Sequence, residues 1–331
     1  MKVYNIQSDN ALSPLLLQKL QELRQKRGFD EKQYITKKCE LLNAYMSKCK
    51  LSACVVAVSG GIDSAIVLAL VNQASKMQNS PIKKIIPLCL PIYRSTGVTN
   101  QNQATNRGEE LCKALQLKCY SIDLSSINEE IRNSLEPAIG IVGEDWAIGQ
   151  LGPYSRTPVL YYTTSLLNQA GYGAVICGTT NLSEGGYLGY VGKASDGLVD
   201  IQLISDIYKS EVYKVAKCLD IPNSIIDVAP SGDMYDSRTD EVVFGAPYDF
   251  VELYLNYLNF TEKQKQDFVK DFDEISKQQF ELYSKNLENL HKYNAHKYLS
   301  KSPAVHLDLF DSHINGGWEN HYQTTKNFME S

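Results

Sequence analysis

The chain has 331 residues, 43% apolar and 21% charged, with a formal net charge of −5, enough for one large domain or two small ones with a full hydrophobic core. The composition is that of an ordinary globular protein. No run of about 18 uncharged apolar residues offers a membrane span, the start Met1-Lys2-Val3-Tyr4-Asn5 lacks the apolar core of a signal peptide, and no basic block offers a nucleic acid its phosphate contacts. A cytoplasmic protein with neither a membrane nor a nucleic-acid partner is expected.

Residues 14 to 49 read as two amphipathic helices. Ser13-Pro14 supplies a cap and first turn, and Leu16, Leu20 and Leu23 recur at helical spacing. They form an expected packing arm (1–50) ahead of a core (51–300). In the core an apolar strand at Cys54 to Val58 precedes a helix from about Asp63. A strand at Ile85 to Leu90, a helix at Gln101 to Leu115 and a strand near Cys119 to Ile122 follow. Further on come a strand at Ala174 to Cys177 and a helix at Lys209 to Leu219. Apolar strands alternating with helices imply an α/β fold, a doubly wound parallel sheet with helices on both faces. Such a sheet binds ligands beyond the carboxyl ends of its strands. The stretches Glu136 to Tyr154 and Ala229 to Gly245 read as loops long enough to be lids. After Pro247 the chain is expected to be helical to about Tyr293, with an irregular tail over 301–331.

Eight cysteines without a C-x-x-C pair read as buried, reduced thiols. The five histidines, 291, 296, 306, 313 and 321, match no common zinc spacing.

Ser59-Gly60-Gly61-Ile62-Asp63-Ser64 lies between an apolar strand and an apolar-periodic helix, where an anion-binding loop belongs. Glycines bare the backbone N–H groups and the helix start adds partial positive charge. The loop lacks the Gly-Lys-Ser/Thr ending of a Walker A sequence. It carries Asp63 in the first helical turn instead, and an aspartate facing phosphates implies a bridging Mg²⁺. The motif S-G-G-x-D-S resembles the pyrophosphate loop of the ATP pyrophosphatases.

Downstream stand Gly178-Thr179-Thr180-Asn181, Glu184, Lys193, Asp196, Asp200, Lys209, Pro230-Ser231, Thr239-Asp240-Glu241, Gly245, Pro247 and Tyr248. From about residue 40 to 300 this ordered series is similar to NAD synthetases. The resemblance implies an adenine nucleotide alpha hydrolase-like fold and an ammonia-dependent ligase. ATP would adenylate the nicotinate carboxylate of deamido-NAD, pyrophosphate would leave, and ammonia would displace AMP. It implies ATP contacts at Ser59, Gly60, Gly61, Asp63, Ser64, Thr179, Lys209 and Ser231, and Mg²⁺ on Asp63 and Glu184. It also implies deamido-NAD contacts at Arg156, Lys193, Asp200, His296 and Lys297. Asp63, Glu184, Lys209 and Asp196 are the implied catalytic set, Asp196 near the entry of ammonia, where a carboxylate can hold ammonium and take its proton.

Three local departures from the family pattern carry expectations of their own. Thr157-Pro158 predicts a helix that starts after Arg156, and Gly185-Gly186 predicts an altered loop after Glu184. Tyr298-Leu299-Ser300 replaces the usual basic and proline residues. The family is typically homodimeric, and the 14–49 arm or the Tyr161-Tyr162 helix is an expected interface. About fifty residues precede the loop, too few for a glutaminase domain, so free ammonia, or ammonia from a separate glutaminase chain, is expected. The alternatives are a tRNA-modifying member of the same loop group and a non-catalytic adenine-nucleotide sensor.

Overall fold

The apolar run predicted over 54–58 forms β1 (Ala53–Ala57), at the centre of the computed structural model, which describes residues 11–93, 101–232, 238–298 and 304–330. Before it come α1 (Pro14–Arg27) and α2 (Glu31–Lys48), the expected arm. The Ser13 hydroxyl accepts the Leu16 N–H at the start of α1, Gly28 closes it in the left-handed conformation, and Asp30 caps α2. After β1 follow α3 (Ile62–Ser75), β2 (Lys84–Cys89), α4 (Gln101–Ala114), β3 (Tyr120–Ser121), α5 (Ser125–Ile139), α6 (Asp145–Gln169) and β4 (Ala174–Gly178). The second half holds α7 (Leu182–Gly185), β5 (Ile201–Gln202), α8 (Lys209–Cys218), α9 (Asn223–Ile226) and α10 (Asp240–Phe244). It ends with α11 (Tyr248–Leu258), α12 (Glu262–Val269), α13 (Glu274–Asn294), β6 (Val305–His306) and α14 (His321–Glu330).

All strand pairs are parallel, in the order β3-β2-β1-β4-β5-β6. The strand order therefore reverses between β1 and β4, which puts a ligand crevice beyond their carboxyl ends. Strand alternation sorts the core into two layers. Cys54 and Val56 pack with α2, α3 and α8, and Val55 packs with Leu160 of α6 on the other face. A further apolar cluster joins Leu16 and Leu20 of α1 to Phe250, Val251 and Leu253 of α11 and to Tyr283 and Leu287 of α13. Each fully buried leucine there is worth about 1.5–3 kcal/mol over exposure. The arm is also ion-paired to the core: Arg24 holds Glu252 at 2.6 Å and Asp249 at 2.7 Å, and Arg27 holds Glu211 at 2.6 Å.

Three expectations are corrected. The lid loop expected over 136–154 is helical except around Gly140 to Glu144. Ile127, Ile131, Leu135 and Ile139 recur every four residues along α5, and Gly140 ends it in the left-handed conformation. Pro137, Pro153 and Pro158 suggest breaks, yet all three lie inside helices. Each removes one N–H from the helix ladder, yet α6 runs through Pro153 and Pro158 because it lies along β1 and β4. For the same reason the helix does not start after Thr157-Pro158, and Arg156 sits in its middle. Lastly, the tail is not irregular: β6 extends the sheet beside β5, and α14 packs on β6. A two-residue strand carries no readable periodicity. Within the second predicted loop, Asp240–Phe244 forms the short helix α10, and 233–237 lie outside the described residues. No helix among the described residues is long and apolar enough to cross a membrane.

Candidate active site

Beyond the carboxyl ends of β1, β2 and β4 lies a cavity of about 480 Å³. Ser59, Gly61, Asp63 and Ser64 line it from the loop after β1, and Thr179 and Glu184 from the segment after β4. Arg156, Asp196, Lys209 and Ser231 complete the predicted residues on its wall. Gly60 lies just behind, with φ +77° and α4's Ala104 backbone so close that a side chain would collide. Both conditions demand glycine. Arg107 of α4 donates to the Gly60 carbonyl at 2.9 Å and fixes the turn from outside.

The loop is organised by its two serines. The Ser59 N–H donates to the Ser64 hydroxyl at 3.2 Å, the two hydroxyls are 3.0 Å apart, and Ser64 donates to the Gly61 carbonyl at 3.0 Å. Gly61 begins α3 without a side-chain cap, so the first-turn N–H groups face the cavity unclaimed by a cap, as an anion site requires.

Asp63 and Glu184, 121 residues apart in sequence, meet on one ammonium. Lys209 Nζ donates to Asp63 at 2.6 Å and to Glu184 at 2.7 Å, and its side chain is 2% exposed. Burial lowers the affinity of Lys209 for its proton, but the charges of Asp63, Glu184 and Asp240 outweigh that and hold its pKa well above the ordinary value. Burial pushes Asp63 upward against the pull of Lys209, with the Glu184 charge adding to the rise.

Asn181, Asp240 and Tyr248 belong to the motif series without a role expected of them, and all three position the carboxylates. The Asn181 amide donates to Asp63 at 2.8 Å while its oxygen accepts the Glu184 N–H at 3.1 Å, coupling the two halves of the site. The Tyr248 hydroxyl lies 2.7 Å from Glu184 and 2.8 Å from Asp240. It has one proton to give, so one of the two contacts is made when Asp240 is itself protonated. Burial and the Glu184 charge push Asp240 to about 6, where that state is accessible.

The other predicted residues divide. Arg156 Nε donates to the Leu90 carbonyl at 3.0 Å, anchored but on the cavity wall. The Asp196 carboxylate accepts from the Gly192 N–H at 3.0 Å and from the Ser195 hydroxyl at 3.2 Å. Lys193, Asp200, His296 and Lys297 do not line this cavity. Asp200 accepts the Ile176 N–H of β4 at 2.7 Å, and Lys297 donates to the Gly189 and Val191 carbonyls, each at 2.7 Å. Lys193 and His296 are exposed. The Gly185-Gly186 pair makes room for the C-terminal segment: the Trp318 ring lies against Gly185, and the Trp318 backbone N–H donates to the Gly186 carbonyl at 2.8 Å.

Asp63 and Glu184, meeting beside the loop, are a hard-oxygen donor set. That fits Mg²⁺, which uses one or two carboxylates and completes its shell with water and substrate phosphates.

The model of the NAD synthase family matches residues 34–300. The NH₃-dependent NAD⁺ synthetase of Methanococcoides burtonii is 31% identical over 245 residues, covering 73% of this chain and 85% of that protein. The enzyme of the same name from Mycoplasma genitalium is 30% identical over 230 residues, 69% of this chain and 84% of that one. Among solved structures, NMN synthetase from Francisella tularensis aligns with a TM-score of 0.65 at 24% identity, covering 83% of this chain and 99% of that one. The NH₃-dependent NAD synthetase of Campylobacter jejuni aligns at 0.59 and 23%, covering 81% and 96%. At those identities the structural likeness is one of fold.

Proposed function

Because the chain belongs to the NAD synthase family, we propose that this cavity is where ATP adenylates the nicotinate carboxylate of deamido-NAD and ammonia then displaces AMP to give NAD. The protein is an NAD synthetase, a carbon–nitrogen ligase with ATP as co-substrate. The observation that carries the site assignment is the convergence of Asp63 and Glu184 on Lys209 at the β1/β4 reversal. Adenylation requires charge neutralisation at the α-phosphate and the departing pyrophosphate, with little need for a protein nucleophile. Ser59, Gly60, Gly61 and Ser64 offer donors to pyrophosphate, Thr179 and Ser231 line the nucleotide's side, and Lys209 supplies a point charge. Asp63 and Glu184 would hold Mg²⁺, which when bound neutralises phosphate charge.

Asp196 would hold the incoming ammonium and accept its proton. Only neutral ammonia has the lone pair needed to attack the acyl-adenylate. The nitrogen source is free ammonia or a separate glutaminase chain. Arg156, on the same wall, is the deamido-NAD contact the geometry favours. The backbone bonds of Asp200 and Lys297 favour a structural role for both. Lys193 and His296 would reach the substrate only outside the cavity. Eight free cysteines favour a reducing, cytoplasmic setting.

Purified protein with deamido-NAD, Mg-ATP and ammonium should yield NAD, AMP and pyrophosphate. Release of ADP, ATP consumption without NAD, or preference for nicotinate mononucleotide over deamido-NAD would overturn the reading. In the same assay Arg156→Ala should raise the deamido-NAD KM about tenfold, a loss of about 1.4 kcal/mol. An unchanged KM removes Arg156 from the substrate.

Homodimerisation belongs to this reading, through α5 and α6 rather than through the arm, whose Leu16 and Leu20 are buried within the chain itself. Leu135 and Ile139 on α5 and Trp146 and Tyr162 on α6 are each more than half exposed. Monomers rarely leave such an apolar face uncovered. Sedimentation should give twice the chain mass, and Leu135→Glu with Trp146→Glu should halve it. A monomeric parent protein rejects the interface.

A further inference from the structure

We propose that Cys89 and Cys119 form a reversible disulfide, closed by hydrogen peroxide, at the edge of the nucleotide cavity. Their sulfurs are 3.2 Å apart, against about 2.05 Å in a disulfide, so the pair must close by roughly 1.1 Å. Cys119 lies two residues before Ser121, the register partner of Cys89, so both side chains leave the same face of the sheet. The movement falls on β3, which is two residues long and forms the sheet edge. An edge strand is bonded on one side only and shifts more easily than a central one.

The two cysteines differ in a way that assigns their roles. Cys119 is partly exposed and Cys89 is buried. The neighbouring Cys112 and Cys89 thiols favour the thiolate at Cys119, lowering its pKa below the usual thiol range, while Cys89 is pushed up. A partly exposed thiolate is the nucleophile toward peroxide. The Cys119 sulfur attacks one peroxide oxygen, the S–O bond forms and the O–O bond breaks. The displaced hydroxide takes up a proton and leaves as water. Cys89 then loses its proton, and its sulfur attacks the sulfenic sulfur of Cys119. The S–S bond forms, the S–O bond breaks, and a second water departs. Two thiols are oxidised by two electrons and one peroxide is reduced.

The site is tied to the cavity. Cys89 is one of its lining residues, and its sulfur packs against Gly108 of α4. The adjoining Arg107 holds the Gly60 carbonyl. Re-aiming the Cys89 sulfur to bond Cys119 changes its contact with Gly108 and so disturbs the seat of the loop that receives pyrophosphate.

The full-length protein is exposed to hydrogen peroxide, unfolded in guanidinium chloride with N-ethylmaleimide so that every remaining thiol is alkylated, and digested without reductant. Two fewer alkylated thiols than the eight present, a linked peptide joining Cys89 to Cys119, and reversal by dithiothreitol are the expected results. Cys119→Ser, at the partly exposed position, and Cys89→Ala should each abolish the linked peptide. Eight thiols still free, a Cys112–Cys119 peptide in place of the expected one, or sulfinic acid accumulating at Cys119 overturns the assignment. Calorimetric affinity for Mg-ATP should fall about tenfold on oxidation and recover on reduction. Unchanged affinity overturns the coupling to the cavity.

Discussion

Lys209→Met should lower kcat by about 10²–10³, the usual cost of deleting one preorganised donor to developing charge, and should also destabilise the protein. The ammonium is buried between Asp63 and Glu184 at 2.6 and 2.7 Å. Without it two carboxylates face each other with no compensating charge, and loss of one partner from a buried ion pair costs about 3–5 kcal/mol. Added Mg²⁺ should restore part of the lost stability in urea denaturation, because a divalent ion on the same carboxylates supplies the missing charge. Lys209→Arg should not rescue turnover, since a planar fork cannot replace a compact point charge in so enclosed a position. The pH dependence has a definite sign. The Lys209 pKa is raised on folding, so its contribution is complete below the unfolded lysine value and is lost as the pH rises through the folded one. Across neutral pH the stability difference between parent and variant should therefore stay flat as far as Lys209 is concerned. A kcat within tenfold of the parent would remove Lys209 from the reaction.

Asp206→Ala should cost about 3–5 kcal/mol, by the same logic applied to a buried pair that does not line the cavity. Asp206 is fully buried and accepts from both sides of the molecule. Lys38 Nζ of α2 is 3.0 Å from each of its oxygens, the Tyr34 hydroxyl is at 2.9 Å, and the Leu309 N–H of the C-terminal segment is at 2.7 Å. Lys38 also donates to the Leu307 carbonyl. Removing the carboxylate leaves an ammonium and an N–H with no water to turn to. Adding Lys38→Met to Asp206→Ala should recover stability, because the uncompensated charge goes with it. Equilibrium urea denaturation measures both. A loss below about 1 kcal/mol for the single variant would mean that water reaches the pair.

The loop at 59–64 was legible because everything that forms it is local: an apolar strand, two glycines, a helix start and Asp63 follow one another in the chain. The parallel sheet was legible for a similar reason, since strands buried on both faces must be continuously apolar. The order of motifs, by resemblance, implied Asp63 and Glu184 on one metal with Lys209 in the same set, but the direct bridge of Lys209 between the two carboxylates could not be read from it. That requires β1 and β4 to be neighbours, and strand order is a long-range property. Asn181 and Tyr248 stand within the motif series, but residue order does not show that one amide serves both the Asp63 and the Glu184 segments.

The sequence by itself determined the fold class, the glycine-bearing loop between β1 and α3, and the family, because these rest on residue order and short-range periodicity. Only the tertiary structure decided that Lys209 lies between the two carboxylates and that α6 runs unbroken past Arg156. It likewise decided that the last thirty residues supply a strand and the Trp318 contact behind Glu184. Proline and glycine report local backbone preference. Whether a helix survives a proline, or a glycine pair receives an indole, depends on what packs against it from elsewhere in the chain.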